Sequence, residues 1–283
     1  MFLNQKETLI KRVIQRCTVT GGVKTRRRVT WSHIVTFVLA TAISYVLAVV
    51  SSIIFPVLGA PGVSALYIAA AIYVPLGIWM GLWGCLAGYI SCFFLGLWPS
   101  GYTLLQSFIW SWADFIEALA PAAIFRLFKV DPDFSVRRGW AAKAFPPLIA
   151  LGSIMLLLGV IVQVLWGATL GEPFTTIYVY SVYAGLALAL IGVVLGLLVG
   201  HSKTWAAHIA GVILASVLSG VWGAGTLTLW NLPPPLPAEL FWPVFTGWVM
   251  GDLIVLSVLS TALLVALTPV FKRTGLYVEG WWA

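Results

Sequence analysis

Acidic side chains inside apolar segments are the residues of this sequence best able to do chemistry. Asp114 and Glu117 lie about one helical turn apart within an apolar run over residues 104–127, and Asp252 lies within a run over 242–270. A carboxyl group in such surroundings is costly unless it is paired, protonated or next to a polar cavity. No lysine or arginine is available at the depth of these acids. We therefore expect a polar cavity that binds a small cationic or hydrogen-bonding solute.

Aromatic and hydroxyl side chains accompany these acids. Trp110 and Ser111 precede Asp114 by about one turn, and Trp248 precedes Asp252 by the same interval. The alternative to a binding pocket is that each acid bonds to a carbonyl, serine or tyrosine of a neighbouring helix and only fixes packing. The predicted ligand-binding residues are Trp110, Ser111, Asp114, Glu117, Trp248 and Asp252.

Other kinds of chemistry have little support in the sequence. It contains no Walker loop, nucleophile elbow, His-Glu-x-x-His helix or glycine-rich dinucleotide turn. Cys85 and Cys92 lie on one apolar run and are too far apart to form a disulfide. His208 lies near the end of another run, where we expect a solvated histidine rather than a catalytic one. We therefore expect no enzymatic activity, no metal and no cofactor.

The overall composition sets the environment of these residues. Of the 283 residues, 61% are hydrophobic and 9% are charged, with a mean hydropathy of +1.01. This balance leaves too little polar surface for a soluble domain, so the lipid bilayer is the expected solvent. The formal net charge of +7 does not indicate nucleic-acid binding, because the basic residues cluster at the ends of apolar runs.

Apolar runs long enough to cross about 30 Å of hydrocarbon predict an all-α fold. The expected architecture is a polytopic membrane helix bundle of about eight transmembrane helices. The break between the second and third runs is only Gly81-Leu-Trp-Gly84, which predicts a tight helical hairpin. The runs cover residues 33–55, 64–81, 83–98, 104–127, 144–167, 174–200, 205–229 and 242–270.

The charges of the loops predict the orientation. Basic residues follow the fourth, sixth and eighth runs, whereas the loops after the odd-numbered runs contain no lysine or arginine. Cytoplasmic loops of membrane proteins carry an excess of lysine and arginine. Both termini are therefore predicted on the cytoplasmic side, in the cytoplasmic (inner) membrane of a prokaryote. Residues 1–30 are expected to form a basic cytoplasmic segment with an interfacial amphipathic helix, and residues 274–283 a short cytoplasmic tail. The basic loop residues are Arg126, Lys129, Arg137, Arg138, Lys143, Lys203, Lys272 and Arg273.

A row of small side chains in the first run is a candidate docking surface. Ala40, Ser44 and Ala48 recur at every fourth position, a spacing that lets helix backbones approach closely. The row predicts either packing inside the bundle or contact with another membrane protein.

Three segments are similar to segments of known families. They are Gly62-Val-Ser-Ala-Leu-Tyr-Ile running to Gly-Leu-Trp-Gly-Cys-Leu-Ala-Gly88, Trp112-Ala-Asp-Phe-Ile-Glu-Ala-Leu-Ala-Pro-Ala-Ala-Ile-Phe-Arg-Leu-Phe128, and Gly247-Trp-Val-Met-Gly-Asp-Leu-Ile-Val-Leu256. These segments resemble the substrate-binding S components of energy-coupling-factor transporters. They also resemble the membrane-associated sensor domain that precedes histidine kinase or diguanylate cyclase modules. The first resemblance implies a six-helix core, 31–128 and 205–273, with an inserted hairpin at 144–200.

Each resemblance implies a function. An S component would bind a small-molecule solute for uptake and would dock, through Ala40, Ser44 and Ala48, on a membrane coupling protein that works with ATPases. A free-standing sensor domain would bind a solute and signal through a separate partner. A third interpretation, suggested by the small-residue rows and the many tryptophans, is a structural subunit of a larger membrane complex.

Overall fold

The computed structural model describes residues 29–57, 60–134, 140–166, 174–230 and 236–282. The interfacial helix expected within residues 1–30 lies outside these ranges, as do the basic loop residues Arg137 and Arg138.

Helices make up most of the described chain, which confirms the all-α class. The helices are α1 (Trp31–Ile54), α2 (Ala70–Met80), α3 (Leu82–Leu97), α4 (Leu104–Trp110), α5 (Trp112–Leu127), α6 (Trp140–Trp166), α7 (Phe174–Val199), α8 (Ser202–Thr228), α9 (Phe241–Val255) and α10 (Thr261–Arg273). A 3-10 turn at Ala238–Leu240 precedes α9, and a π-helical turn at Leu256–Ser260 joins α9 to α10.

Several of these helices are compatible with a membrane protein. Within the described residues, five helical stretches are long and apolar enough to cross a membrane, when α4 is counted with α5 and the two segments around the π turn are counted together. They are Trp31–Ile54, Leu104–Leu127, Val179–Val199, Ser202–Thr228 and Ala238–Arg273. Shorter apolar helices cover Ala70–Met80, Leu82–Leu97 and Lys143–Gly159.

The second predicted run begins differently from the sequence-based expectation. The prediction of a helix from residue 64 is wrong, because α2 starts only at Ala70. Before it, β1 (Pro56–Val57) and β2 (Ala60–Ser64) form a small antiparallel hairpin. The backbone of Gly62 has a φ of 78°, which a helix does not allow. Bends and a turn over residues 65–69 connect the hairpin to α2.

Hydrogen bonds tie this hairpin to the end of α1. The hydroxyl of Ser64 donates to the carbonyl of Ser51 across 3.0 Å, and the hydroxyl of Ser51 accepts from the backbone N–H of Ile68 at 3.0 Å. The backbone N–H of Ala65 donates to the carbonyl of Phe55 across 2.7 Å. Residues 55–57 and 60–68 therefore form a hydrogen-bonded cap, which we call the hairpin cap, at one end of the bundle.

Helix α5 lies at the centre of the bundle, packed against α2, α3 and α8, while α9 packs along α8. Close approach is possible because small residues face each other: a Cβ on Gly77 would lie 2.9 Å from the carbonyl oxygen of Ala118, and one on Gly211 would lie 2.8 Å from Cβ of Pro121. Helices α6 and α7 pack mainly along each other as a hairpin.

The last described residues fold back onto the end of the bundle opposite the hairpin cap, which we call the Gly81 end. The backbone N–H of Val278 donates to the carbonyl of Trp79 at 2.8 Å, and that of Leu82 donates to the carbonyl of Trp281 at 2.9 Å. The predicted tail is thus packed against the turn between α2 and α3 through residue 282.

Candidate ligand pocket

A small cavity lies beneath the hairpin cap, where the cap meets α4, α5 and α9. Its volume is about 10 Å³, roughly the room for one water molecule. Three of the predicted site residues, Trp110, Asp114 and Trp248, line it. The complete lining is Gly62, Val63, Ser64, Tyr67, Trp110, Asp114 and Trp248.

Asp114 is the acid that reaches the cavity. It lies in the first turn of α5 and is 1% exposed. The hydroxyl of Tyr67, which lies in the hairpin cap three residues before the start of α2, donates to Oδ2 of Asp114 across 2.9 Å. Because Tyr67 and Asp114 both line the cavity, this bond joins the cap to the bundle at the cavity wall.

Glu117 lies one turn further along α5, behind the cavity. It is fully buried, and the hydroxyl of Tyr73 on α2 donates to its Oε2. Its other carboxyl oxygen, Oε1, is buried and has no hydrogen-bond partner among the described residues. A buried polar atom without a partner is uncommon and indicates a place for water, a proton or a ligand atom.

Asp252 brings a third buried carboxyl group to the same region from α9. The hydroxyl of Ser219 on α8 donates to its Oδ2 across 3.1 Å, while its Oδ1 has no partner in the described chain. Glu117 lies within electrostatic range of both Asp114 and Asp252. The three predicted acids therefore form one cluster.

No basic side chain neutralises this cluster in the described residues. The ion pair that the described residues contain joins Lys272 to Asp131, at the Gly81 end of the bundle. Arg126, the basic residue on α5, directs its guanidinium to the carbonyls of Gly77, Gly280 and Val278 instead. A positively charged or donor-rich solute would consequently find acceptors at the cluster that no protein cation occupies.

Two tryptophans form the aromatic wall of the cavity. The rings of Trp110 and Trp248 meet edge to face with centroids 6.1 Å apart. Trp248 lies directly over Gly223 of α8, where an added Cβ would come within 2.3 Å of its ring. The Nε1 of Trp110 is buried and has no partner among the described residues, so this wall offers a hydrogen-bond donor that they do not use.

Unpartnered polar atoms extend from the cavity along α4. Both amide atoms of Gln106 and the hydroxyl of Ser107 are buried and have no partner in the described part of the chain. Gln106 lies one turn before Trp110 in α4. Sequence reasoning missed Gln106, although an amide inside an apolar run was an available signal.

The remaining predicted site residue has a local role. Ser111 is buried at the junction of α4 and α5, and its hydroxyl donates to the carbonyl of Ser107. It does not line the cavity. Tyr67, Tyr73 and Ser219, which hold the three acids, were also missed, because tyrosine and serine in an apolar helix form no distinctive pattern.

The small-residue row of α1 is occupied by this chain's own helices. Ala40 is 8% exposed, and Ser44 and Ala48 are fully buried. Helix α1 packs against α3, as shown by the edge-to-face rings of Phe37 and Trp83, with centroids 5.4 Å apart. The row therefore serves packing inside the bundle and is not a free docking surface.

The described residues contain no group of three or more histidine, cysteine, aspartate or glutamate side chains placed to hold a metal ion. Comparison with protein-family models, with curated proteins and with solved structures gives no match. The inference of function accordingly rests on the geometry of this chain.

Proposed function

We propose that the chain is a membrane-embedded binding protein for a small solute that carries positive charge or several hydrogen-bond donors. One observation carries the proposal: three buried carboxyl groups, Asp114, Glu117 and Asp252, share one cluster that has no basic partner in the described residues and adjoins a cavity. Buried acids in a membrane bundle are costly and usually mark a solute or ion site.

The size of the cavity constrains how a solute enters. About 10 Å³ holds one water and no organic solute. The wall that is not part of a long helix is the hairpin cap, and Tyr67 links it to Asp114. A solute that engages Asp114 would replace the Tyr67 hydroxyl and displace the cap, so the cap acts as the cover of the site.

The membrane arrangement that fits this function has eight spans with both termini in the cytoplasm. Arg126, Lys129, Lys272 and Arg273 all lie at the Gly81 end, which supports a cytoplasmic location for that end. The hairpin cap then faces outwards, where a solute to be taken up arrives. Reporter fusions after residues 134 and 230 test this: the first should report a cytoplasmic position and the second an external one.

The role that we favour is a binding subunit for uptake through an energy-coupling-factor type transporter, working with a membrane coupling protein and ATPases. Purification of the tagged chain from its native membrane should retain those subunits in stoichiometric amounts. Retention of a kinase or cyclase instead would favour sensing.

Sensing is the second candidate because a described segment connects the site to the last residues. Arg126 follows Glu117 on α5, and its guanidinium donates to the carbonyls of Gly77, Val278 and Gly280. A shift of α5 on solute binding would be transmitted to this segment.

The test of solute binding uses isosteric substitutions. Native mass spectrometry of the purified chain identifies the bound solute, and calorimetry then measures its Kd in Asp114→Asn, Glu117→Gln and Asp252→Asn. Each change should weaken binding at least about tenfold, the usual effect of one charge-assisted hydrogen bond. Glu239→Gln, at an exposed carboxyl group before α9, is the matched control. Unchanged affinity in all three variants would refute the proposed site.

A further inference from the structure

A second cavity lies away from the acid cluster, between α7, α8, the end of α9 and the π-helical turn. Its volume is about 80 Å³, several times the 10–15 Å³ or so that one water needs. Apolar side chains from each element line it, among them Val193, Ile213 and Leu253. The polar lining residues are His208 and Ser257, together with the indole of Trp205.

His208, which lines this cavity, has one buried ring nitrogen without a partner in the described residues. The side chain is 4% exposed, which corrects the expectation of a solvated histidine, since the ring is enclosed by Phe134 and Trp205. Its Nε2 lies 2.7 Å from the hydroxyl of Thr261, while its Nδ1 is buried without a partner in the described residues. A neutral imidazole has one donor and one acceptor nitrogen, so Nδ1 has an unmet hydrogen bond in either tautomer.

The backbone beside His208 is also unusual. The chain forms a π-helical turn at Leu256–Ser260, and such turns interrupt α-helices frequently at functional sites. Thr261, the partner of His208, directly follows this turn, and Ser257 within it lines the cavity. The π turn thus places the hydroxyl of Ser257 at the cavity, and the residue that follows it bonds to His208.

The cavity opens on the apolar surface of the bundle. Ile209 and Ile213, which line it, are 39% and 49% exposed. A molecule that enters there must come from the hydrocarbon phase, because the surrounding surface of α8 is apolar. Water from either face would have to cross apolar side chains first.

From this geometry we propose that the cavity binds the hydroxyl head of an amphiphile dissolved in the bilayer, such as a long-chain alcohol. A hydroxyl group both donates and accepts, so it satisfies Nδ1 of His208 in either tautomer. The apolar lining accepts the first carbons of the chain, and the remainder extends past Ile213 into lipid. This site is separate from the acid cluster and does not depend on the proposed solute.

Photolabelling tests the proposal. The full chain is reconstituted in phospholipid nanodiscs with a hexadecanol that carries a diazirine close to the hydroxyl group, irradiated, and mapped by peptide mass spectrometry. Labels should concentrate in 205–213 and 253–257, and unlabelled hexadecanol should compete while hexadecane does not. Labels spread evenly over the lipid-facing helices, or equal competition by hexadecane, would overturn the proposal.

Substitutions at His208 and at Ile213 test separately the hydrogen bond to the hydroxyl group and the open volume of the cavity. His208→Phe should reduce labelling about tenfold, the effect of one buried hydrogen bond. Ile213→Trp fills the entrance without touching His208 and should also abolish labelling, whereas Leu218→Trp, at a 45% exposed position of the same helix, should not. Size-exclusion chromatography shows whether His208→Phe folds. If it does not, labelling of Ile213→Trp is compared with labelling of Leu218→Trp. Equal labelling of these two variants refutes the site.

Discussion

The hydroxyl of Tyr67 donates to Oδ2 of Asp114 across 2.9 Å, and this bond closes the hairpin cap over the central helix. Tyr67 belongs to an irregular segment and Asp114 to the first turn of α5. The contact therefore joins a segment outside the helices to a buried acid of the central helix.

Removal of the Tyr67 hydroxyl should loosen the cap. In Tyr67→Phe, Asp114 loses the hydroxyl that donates to its Oδ2, so we expect the free energy of unfolding to fall by about 1–3 kcal/mol, the cost of removing one partner of a buried acceptor. Thermal unfolding in detergent measures this. Tyr89→Phe is the control, because the Tyr89 hydroxyl bonds only to the exposed carbonyl of Phe108. An equal loss in both variants would contradict a special role for Tyr67.

Gly62 and Gly101 allow a matched test of the cap. Both have a positive φ, 78° and 74°, but a Cβ on Gly62 would lie 2.4 Å from the Ser100 hydroxyl, whereas Gly101 has open space. Gly62→Ala adds this clash to the backbone strain, so its unfolding midpoint should fall further than that of Gly101→Ala, with an added cost of about 1–3 kcal/mol. Similar midpoints for the two variants would show that the cap is not packed as described.

Gly223 controls the position of Trp248. A Cβ there would approach the indole within 2.3 Å, and Gly225, two residues on in the same helix, has nothing within 4 Å. Gly223→Ala should push Trp248 into the cavity, weaken solute binding and destabilise the fold by about 1–3 kcal/mol. Gly225→Ala should be neutral or slightly stabilising because alanine favours helix. Calorimetry measures solute binding by the two variants, and thermal unfolding measures their stability. A larger loss in Gly225→Ala than in Gly223→Ala would refute the role of Gly223.

Arg126 should hold the last described segment in place. Arg126→Gln removes donors to the carbonyls of Gly280 and Val278. Hydrogen exchange at the amides of Leu82 and Val278 should then accelerate roughly tenfold or more, because both amides bond across the same interface. Arg273→Gln, at an exposed position of α10, is the control and should leave both amides protected. Unchanged hydrogen exchange at these amides in Arg126→Gln would show that Arg126 does not hold the last described segment in place.

The helices could be predicted from the sequence because a long enough run of apolar residues is sufficient to indicate a helix that can cross a membrane. The run predicted at 104–127 coincides with α4 and α5 taken together. The hairpin cap could not be predicted, since β1 has two residues and Val63 to Ile68 look like the start of an apolar helix. Its shape depends on the positive φ of Gly62 and on the bonds of Ser51 and Ser64.

The acids of the candidate site could be predicted because a carboxyl group inside an apolar run is conspicuous. Their partners could not, since Ser219 meets Asp252 only through the packing of α8 on α9. His208 shows the same limit: its position near a helix end suggested solvent, whereas Phe134 and Trp205 enclose it. Such enclosure arises from segments distant in sequence.

The packing of residues 274–282 over the Gly81 turn has a consequence for the order of assembly. The indole N–H of Trp83 bonds to the carbonyl of Trp282 across 199 positions of the chain. Every described helix is synthesised before this partner, so the α2–α3 turn stays uncovered until the last residues of the described chain have been made. The cover of that turn is therefore a late event of biogenesis, and contacts of such long sequence separation form slowly.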